Sequence, residues 1–319
     1  MDISVIVCTF NRADNLPECV AHLDRQQGLT GVEWEVVIVD NNSTDDTADV
    51  VRDLQSGSTT TIRYVFEAEQ GLSAARNRGI AEAASPYLCF IDDDIRVEPQ
   101  WLRAVFDGFA QHSADAVGGR ILVQTKTPLP AWINDDMRGF LGHRDFGSEP
   151  HYMDGITEFP FGGNMALSRR IIEQVGGFDT RMGRKGEGKT REELFKGEET
   201  DYFQRVAATG GRLYYAPDAT VHHKILPHQL KKRFFRTIHF NAGYQRAMLD
   251  DTHYPRCAFR VPLFLFRQTV AAGVRYVSQL VTKGPSFAFR QQMNVGYFFG
   301  MIMGYAQRPR VFPAKTSSD

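Results

Sequence analysis

The sequence predicts an α/β protein: a doubly wound sheet followed by an amphipathic helical tail. Three observations point there. Short apolar runs alternate with helical patterns through the first hundred residues, polar clusters follow those runs, and the charge changes sign near residue 223. Strands alternating with helices favour a mostly parallel sheet with helices on both faces.

Ile3-Ser4-Val5-Ile6-Val7-Cys8 reads as a buried strand, and Leu16, Val20 and Leu23 at i, i+4, i+7 mark the helix after it. Glu35-Val36-Val37-Ile38-Val39-Asp40 is a second strand. Ser43, with Asp46 three residues on, reads as a capping box opening the helix that carries Ala48, Val51 and Leu54. Residues 62–66 form a third strand, residues 72–84 an alanine-rich helix, and Tyr87-Leu88-Cys89-Phe90-Ile91 a fourth strand running into Asp92-Asp93-Asp94. Strand pieces follow at 116–123, then a Pro/Gly-rich loop and a polar, glycine-rich, mobile segment over 176–197, whose basic stretch 183–190 is expected near the acceptor side and to order on donor binding. A helix is expected around Thr200 to Ala208, and after Pro227 the chain turns helical and basic.

In doubly wound sheets ligands bind beyond the carboxyl ends of the strands. Thr9-Phe10-Asn11-Arg12, Asp40-Asn41-Asn42 and the three aspartates occupy three such ends. Consecutive carboxylates repel, and a divalent cation relieves that repulsion; hard oxygen ligands suit Mn²⁺ or Mg²⁺, which fill their remaining positions with water and substrate phosphates. The bland alternative is a solvated acidic turn.

The runs 3–12, Val39-Asp40-Asn41-Asn42-Ser43-Thr44-Asp45, Gly71-Leu72-Ser73-Ala74-Ala75-Arg76-Asn77 and Phe90-Ile91-Asp92-Asp93-Asp94 closely resemble the family 2 glycosyltransferases. So do Gly162-Gly163-Asn164-Met165-Ala166, Gly176-Gly177-Phe178-Asp179, Gly197-Glu198-Glu199-Thr200-Asp201 and Ala219-Thr220-Val221-His222-His223, in family order over about 225 residues. The resemblance implies a GT-A, Rossmann-like doubly wound mixed sheet and an inverting, metal-dependent sugar transfer from a nucleotide-sugar donor, UDP-linked by expectation, to a hydroxyl of a glycan or lipid-linked acceptor.

Residue by residue, the resemblance implies a donor site of Thr9, Asn11, Arg12, Asp40, Asn42, Arg76, Asp92 and Asp93. In it Asp40 would accept from the uracil N3–H, Asp92 would lie near the ribose, and Arg76 would sit beside the nucleotide or its phosphates. Asp94 would hold the metal, with Asp92 and either His223 or His222 completing it. Glu199 would be the base, one methylene longer than the aspartate usual there, and Gly163, Asn164 and Glu198 would serve the acceptor.

Gly183-Arg184-Lys185-Gly186-Glu187-Gly188-Lys189-Thr190 also satisfies the phosphate-loop pattern G-x-x-x-x-G-K-[ST]. A phosphate loop joins a buried strand to a helix. No apolar strand precedes this one, so the match reads as chance within a basic loop. Nucleotidyl transfer, which also uses aspartates and a metal, lacks its early glycine-rich, lysine-bearing signature here. A catalytically silent, membrane-associated binding protein is the other alternative.

Catalytic domain is expected over 1–225, with a nucleotide-binding half to about residue 115 and an acceptor half over 116–225, and a basic helical region over 226–319. The first 223 residues hold twenty-two Lys/Arg against thirty-five Asp/Glu, the remainder fifteen against three. Such a tail seeks anionic surfaces. Over 260–282, Arg260, Arg267, Arg275 and Ser278 fall on one side of a helix that is otherwise apolar, suited to an anionic membrane interface; packing on the catalytic domain is the alternative. Gly296, Gly300 and Gly304 permit close helix pairing, including between copies. Arginines interleaved with aliphatic residues argue against nucleic acid. Of 319 residues 42% are hydrophobic and 24% charged, which excludes disordered and multi-span membrane classes. With four cysteines and no basic segment before the first apolar run, the expectation is reduced thiols and a cytoplasmic protein, peripheral on the membrane's cytoplasmic face.

Overall fold

The computed structural model describes residues 1–186, 197–250 and 252–308. They divide into two compact units, one of Met1–Leu129 with Ile133–Pro227, the other of Pro130–Trp132 with the residues from His228 on.

The first unit opens with β1 (Ile3–Thr9), α1 (Leu16–Leu23), β2 (Trp34–Asp40), α2 (Thr47–Gly57), β3 (Ile62–Phe66), α3 (Leu72–Glu82) and β4 (Tyr87–Asp92). It continues through β5 (Ile95–Val97), α4 (Trp101–His112), β6 (Ala116–Gly118), β7 (Ile121–Gln124), α5 (Asp135–Arg138) and β8 (His151–Met153). Last come β9 (Met165–Ser168), α6 (Arg169–Val175), α7 (Glu198–Ala208), β10 (Leu213–Tyr215) and β11 (Val221–Lys224). Eight strands form one sheet in the order β3-β2-β1-β4-β9-β6-β10-β8. Its first four are parallel, whereas β9 runs antiparallel to both β4 and β6, so the sheet is mixed. A second sheet, β5-β11-β7, stands apart.

β1 and β2 are almost wholly buried because both faces are covered: Val5, Val7, Val36, Ile38 and Leu16 lie in one apolar cluster, Ile6, Val37, Val39 and Ala75 in the other. That double coverage explains runs of valine and isoleucine without alternation. The sheet order reverses at β1, whose neighbours are β2 and β4. The register pairs Thr9 with Asp40 and Cys8 with Asp92, so three polar strand ends meet at one crevice.

The expected capping box at Ser43 is not formed. α2 starts at Thr47, because Ser43 is drawn into the site: its Oγ accepts from the Asn11 N–H at 2.9 Å, and its own N–H donates to Asp40 Oδ1 at 2.9 Å.

In the second unit, α8 (Lys232–Leu249) precedes a small hairpin, β12 (Cys257–Ala258) and β13 (Val261–Pro262), then α9 (Leu263–Gln307). α9 breaks at Gly284, whose φ of 82° lies in the left-handed region, and Pro285 restarts the helix. The glycine stripe is spent within the chain rather than between copies. A Cβ on Gly300 would collide with the Phe240 carbonyl, and one on Gly304 with the Tyr244 carbonyl; from the α8 side, one on Gly243 would strike the Tyr297 carbonyl. Gly296, expected to share that role, has nothing within 4 Å. The segment 263–283 behaves differently. Leu265 and Ala272 are buried, while Val270, Val274, Val277 and Val281 form an exposed stripe on the opposite side, with Val281 80% exposed. Among the described residues no helix is long and apolar enough to cross a membrane. All four cysteines are free, three of them buried.

Candidate active site

The aspartates turn from β4 into β5: Asp93 and Asp94 share Arg12, whereas Asp92 lies nearest Arg76. Asp93 is buried, accepting from Thr9 Oγ1 at 2.7 Å, Arg12 at 3.1 Å and the Asn15 amide at 3.3 Å. Burial above all, then the neighbouring Asp94, pushes its carboxyl up to about 6 against the pull of Arg12. Asp94 Oδ2 accepts from Arg12 Nη1 at 2.6 Å, whereas Oδ1 is buried with no hydrogen-bond partner. Burial works against ionising Asp94, but His223 and Arg12 outweigh it and hold the carboxyl well below the usual carboxylate range.

His223 Nε2 faces that Oδ1 at 3.5 Å. The ring is oriented from behind: Nδ1 lies 2.8 Å from the Leu141 carbonyl, which can only accept, so Nδ1 carries a hydrogen and Nε2 is the nitrogen turned toward Asp94. Burial works against the charged ring, but Asp94 and the Leu141 carbonyl outweigh it and raise the imidazole above its ordinary value. Gly142 beside it has φ 82°, and a Cβ there would sit 2.9 Å from Nδ1. His222, its neighbour on β11, points to the other face and pairs with Glu98 at 2.5 Å. His223 is therefore the histidine of the site. The residues fit a divalent cation: a buried carboxylate oxygen that accepts no hydrogen bond faces an imidazole nitrogen, which gives up its proton when it ligates an ion. Asp92 does not join them. Among the described residues no three His, Cys, Asp or Glu side chains converge as a metal cage, so the protein offers a pair of ligands, as suits an ion that keeps waters and phosphates.

Arg76, expected beside the phosphates, is instead buried on α3 and committed to the two glutamates. Its Nη1 lies 3.3 Å from Glu198, its Nη2 3.4 Å from Glu199 and 4.0 Å from Asp92. Its guanidinium centre also lies 5.4 Å from the Phe178 ring centroid. α7 begins at Glu198 because Gly197, at φ 104°, turns the chain, and both glutamates sit in a first turn that favours negative charge. Glu198 is buried, whereas Glu199 keeps 18% of its side chain exposed. Gly162 has room for hydrogen alone: a Cβ would overlap both Arg76 Nη2 and Glu199 Oε1. Gly163 lies against Asp92, its built Cβ 3.7 Å from Oδ2.

Asp40 is buried at the end of β2, accepting from Ser43 N–H and, at 2.8 Å, from Tyr64 Oη. Burial and then that bond push the Tyr64 phenol up to about 12. Asn11, at φ 49°, ties two loops together by accepting from Thr44 N–H at 2.7 Å; Asn42, at φ 65°, is exposed. Asn164, expected at the acceptor, spends its amide internally, accepting from Trp101 Nε1 at 2.8 Å and donating to the carbonyls of Arg120 and Ala219. It anchors the loop that carries Gly162 and Gly163.

The model of the family described as glycosyl transferase family 2 matches residues 4–176, more than half of the chain. The chain belongs to that family. A glucosyl-dolichyl phosphate glucuronosyltransferase of Haloferax volcanii is 26% identical over 96% of this chain and 95% of its own. The succinoglycan biosynthesis protein ExoM of Rhizobium meliloti is 23% identical over 95% and 93%. Among solved structures, the mannosyltransferase PcManGT of Pyrobaculum calidifontis, in complex with GDP-Man and Mn²⁺, superposes with a TM-score of 0.61 at 17% identity, over 95% of this chain and 86% of that one. TarS 1-349 of S. aureus, in complex with UDP-GlcNAc, gives a TM-score of 0.53 at 14% identity, over 95% and 82%. The fold is thus GT-A, and this family 2 enzyme is a glycosyltransferase.

Two groups of this glycosyltransferase's site escape sequence reasoning. The Leu141 carbonyl that orients His223 belongs to the backbone and leaves no trace in composition. Arg184, inside the phosphate-loop match, stands within electrostatic reach of Arg12 and all three aspartates. The match itself was the available signal. Its described part is no phosphate loop: Arg184 O and Met182 O accept from the start of α3 at Leu72 and Ser73, with no strand before them. Residues 187–190 of that string lie outside the described residues.

Proposed function

We propose that this glycosyltransferase moves a sugar, with inversion, from a UDP-linked donor to a hydroxyl of a glycan or lipid-linked acceptor, with Mn²⁺ or Mg²⁺. The observation that carries the reading is the pair formed by partnerless Asp94 Oδ1 and the forward-facing Nε2 of His223, which would hold the ion. When bound, such an ion supplies positive charge to the departing diphosphate. Thr9, Asn11, Arg12, Asp40, Asn42, Asp92 and Asp93 surround the donor. Glu199 takes the proton of the acceptor hydroxyl as its oxygen bonds to the anomeric carbon and the bond to the nucleoside diphosphate breaks. Arg76 and Glu198 hold Glu199 in place. The names of the relatives and neighbours support a nucleotide-sugar donor, a divalent ion and a lipid-linked acceptor.

A lipid-linked acceptor also suits the second unit. α9 contains four Lys/Arg and no acid in 45 residues, and its Val270-to-Val281 stripe is exposed beside Arg267 and Arg275. We assign that stripe to an anionic membrane surface, with the protein peripheral on the cytoplasmic face.

The test is calorimetric titration of the full chain with UDP and GDP, each with Mn²⁺ and again with EDTA. UDP binding that needs Mn²⁺ and is lost in Asp94→Ala and His223→Ala is expected; metal-independent binding would remove the ion from this pair, and tighter GDP would reassign the donor. For the tail, sedimentation with phosphatidylglycerol-rich vesicles but not with phosphatidylcholine vesicles is expected, and Val274→Asp/Val281→Asp should abolish it.

A further inference from the structure

Arg144, half-buried, differs from half-buried Arg12 and from buried Arg76 and Arg96 in the same unit. Arg12, Arg76 and Arg96 each touch at least one carboxylate. The Arg144 guanidinium makes no hydrogen bond or ion pair among the described residues, and its Nε is buried without a partner. Three phenyl rings enclose it instead, with Phe161 4.1 Å from the guanidinium centre and Phe146 and Phe159 each at 5.8 Å. Ring faces attract a cation but offer no strong hydrogen-bond acceptor. The backbone holds the residue firmly, since Arg144 exchanges both N–H···O bonds with Ile121, at 2.7 and 2.9 Å. Desolvation without a contacting carboxylate draws the guanidinium below its ordinary value, with Glu199 and Glu158 opposing from a distance.

Its location gives the arrangement meaning. Phe161, the ring closest to Arg144, immediately precedes Gly162, which packs against Glu199 and Arg76. The aromatic box therefore adjoins the glycine that packs on the group assigned as base, and Glu199 acts on Arg144 through its charge. A planar donor fork with its hydrogen bonds unspent, fixed by rings and backbone, is preorganised for a carboxylate or phosphate.

We infer that Arg144 receives an anionic group of a substrate sugar beside Glu199, so that one of the two sugars joined by this enzyme is acidic, a uronate or a sugar phosphate. This rests on the transfer reading and narrows its substrate class.

The experiment titrates the full chain, saturated with UDP and Mn²⁺, with D-glucuronate, glucose 6-phosphate and neutral D-glucose. Wild type should bind at least one of the anions about tenfold or more tightly than glucose, and Arg144→Gln should erase that preference. Preference for glucuronate identifies the carboxylate; preference for glucose 6-phosphate identifies the phosphate. Arg144→Lys keeps the charge but loses the fork, so an intermediate preference is expected, and it carries the comparison if the glutamine variant does not fold. Anions bound no more tightly than glucose, or equally well by Arg144→Gln, would overturn the inference. The UDP titration separates the two readings: if UDP fails to bind, the donor assignment falls, and the same anion series run without nucleotide still decides the role of Arg144.

Discussion

Replacing Gly162 by alanine disturbs the candidate base without altering it. The added Cβ would lie well inside 3.0 Å of both Arg76 Nη2 and Glu199 Oε1, closer than real Cβ atoms approach. Gly162 has no positive φ, so the backbone accepts alanine and the clash must be relieved by side chains. Arg76 yields little, being 2% exposed, paired with Glu198 at 3.3 Å and packed on Phe178. Both side chains must therefore give way, Arg76 at a cost in stability and Glu199, the more exposed, by about 1 Å, and misplacement of that size costs about a hundredfold in rate, about 2.7 kcal/mol of transition-state stabilisation. The assay is steady-state nucleotide release from a donor–acceptor pair that wild type turns over, with UDP titration and thermal melting alongside. We expect kcat to fall about a hundredfold while UDP affinity holds, with the protein destabilised by about 1–3 kcal/mol from overpacking against buried Arg76. Gly163→Ala comes no nearer than 3.2 Å to any atom, the Ile95 Cδ1, and should lose far less. A wild-type kcat for Gly162→Ala would refute Glu199 as the base, and an equal loss of UDP affinity would refute the separation of base from donor site.

Glu199→Gln should retain UDP and Mn²⁺ binding but lose transfer by about a hundredfold or more, read in the same assay; undiminished turnover moves the base elsewhere. In the second unit, Gly300→Ala forces a methyl into the Phe240 carbonyl and should destabilise by about 1–3 kcal/mol on denaturant unfolding. Gly296→Ala, with open space around it, should stabilise by about 0.5–1 kcal/mol. His239 accepts from Arg290 at 2.9 Å, and burial first, then that charge, pushes its imidazole down to about 4. The unfolded chain, with an ordinary histidine near about 6.5, binds more protons between those values. Stability is thus full above about pH 6.5 and declines towards pH 4, by at most about 3 kcal/mol; a pH-melting series on His239→Asn should show the slope flattened, and an unchanged slope would exclude His239 as its source.

Apolar runs and strand-end polarity sufficed to locate β1 to β4, α1 and α3, because double-sided burial leaves an unbroken valine and isoleucine signature that needs no partner to be read. Asp94, Glu199 and both histidines were named by the likeness to family 2 glycosyltransferases, which carries information that apolar runs and strand ends do not. The start of α2 was misplaced since Ser43 obeys a contact with Asn11, thirty-two residues away, rather than its own helix. The glycine stripe of α9 was legible as a close-packing surface, but not which helix it meets: spacing encodes the shape of a face, and only the fold supplies the other face.

Chain order, residue chemistry and periodicity therefore settled the layered α/β architecture, because it depends on neighbours within a turn or a strand, while the likeness of the motifs to a family supplied the candidate groups. Choosing among those groups took contacts across the chain. His223 rather than His222 faces Asp94 because antiparallel pairing of β11 with β5 sets the side on which each imidazole emerges. Arg76 belongs to the glutamates because α3 and α7, over a hundred residues apart, meet beneath Gly162. Arg144 lies in a segment that reads as plain loop, and its distinction, a cation enclosed by rings and lacking a carboxylate, exists only once Phe146, Phe159 and Phe161 have folded around it.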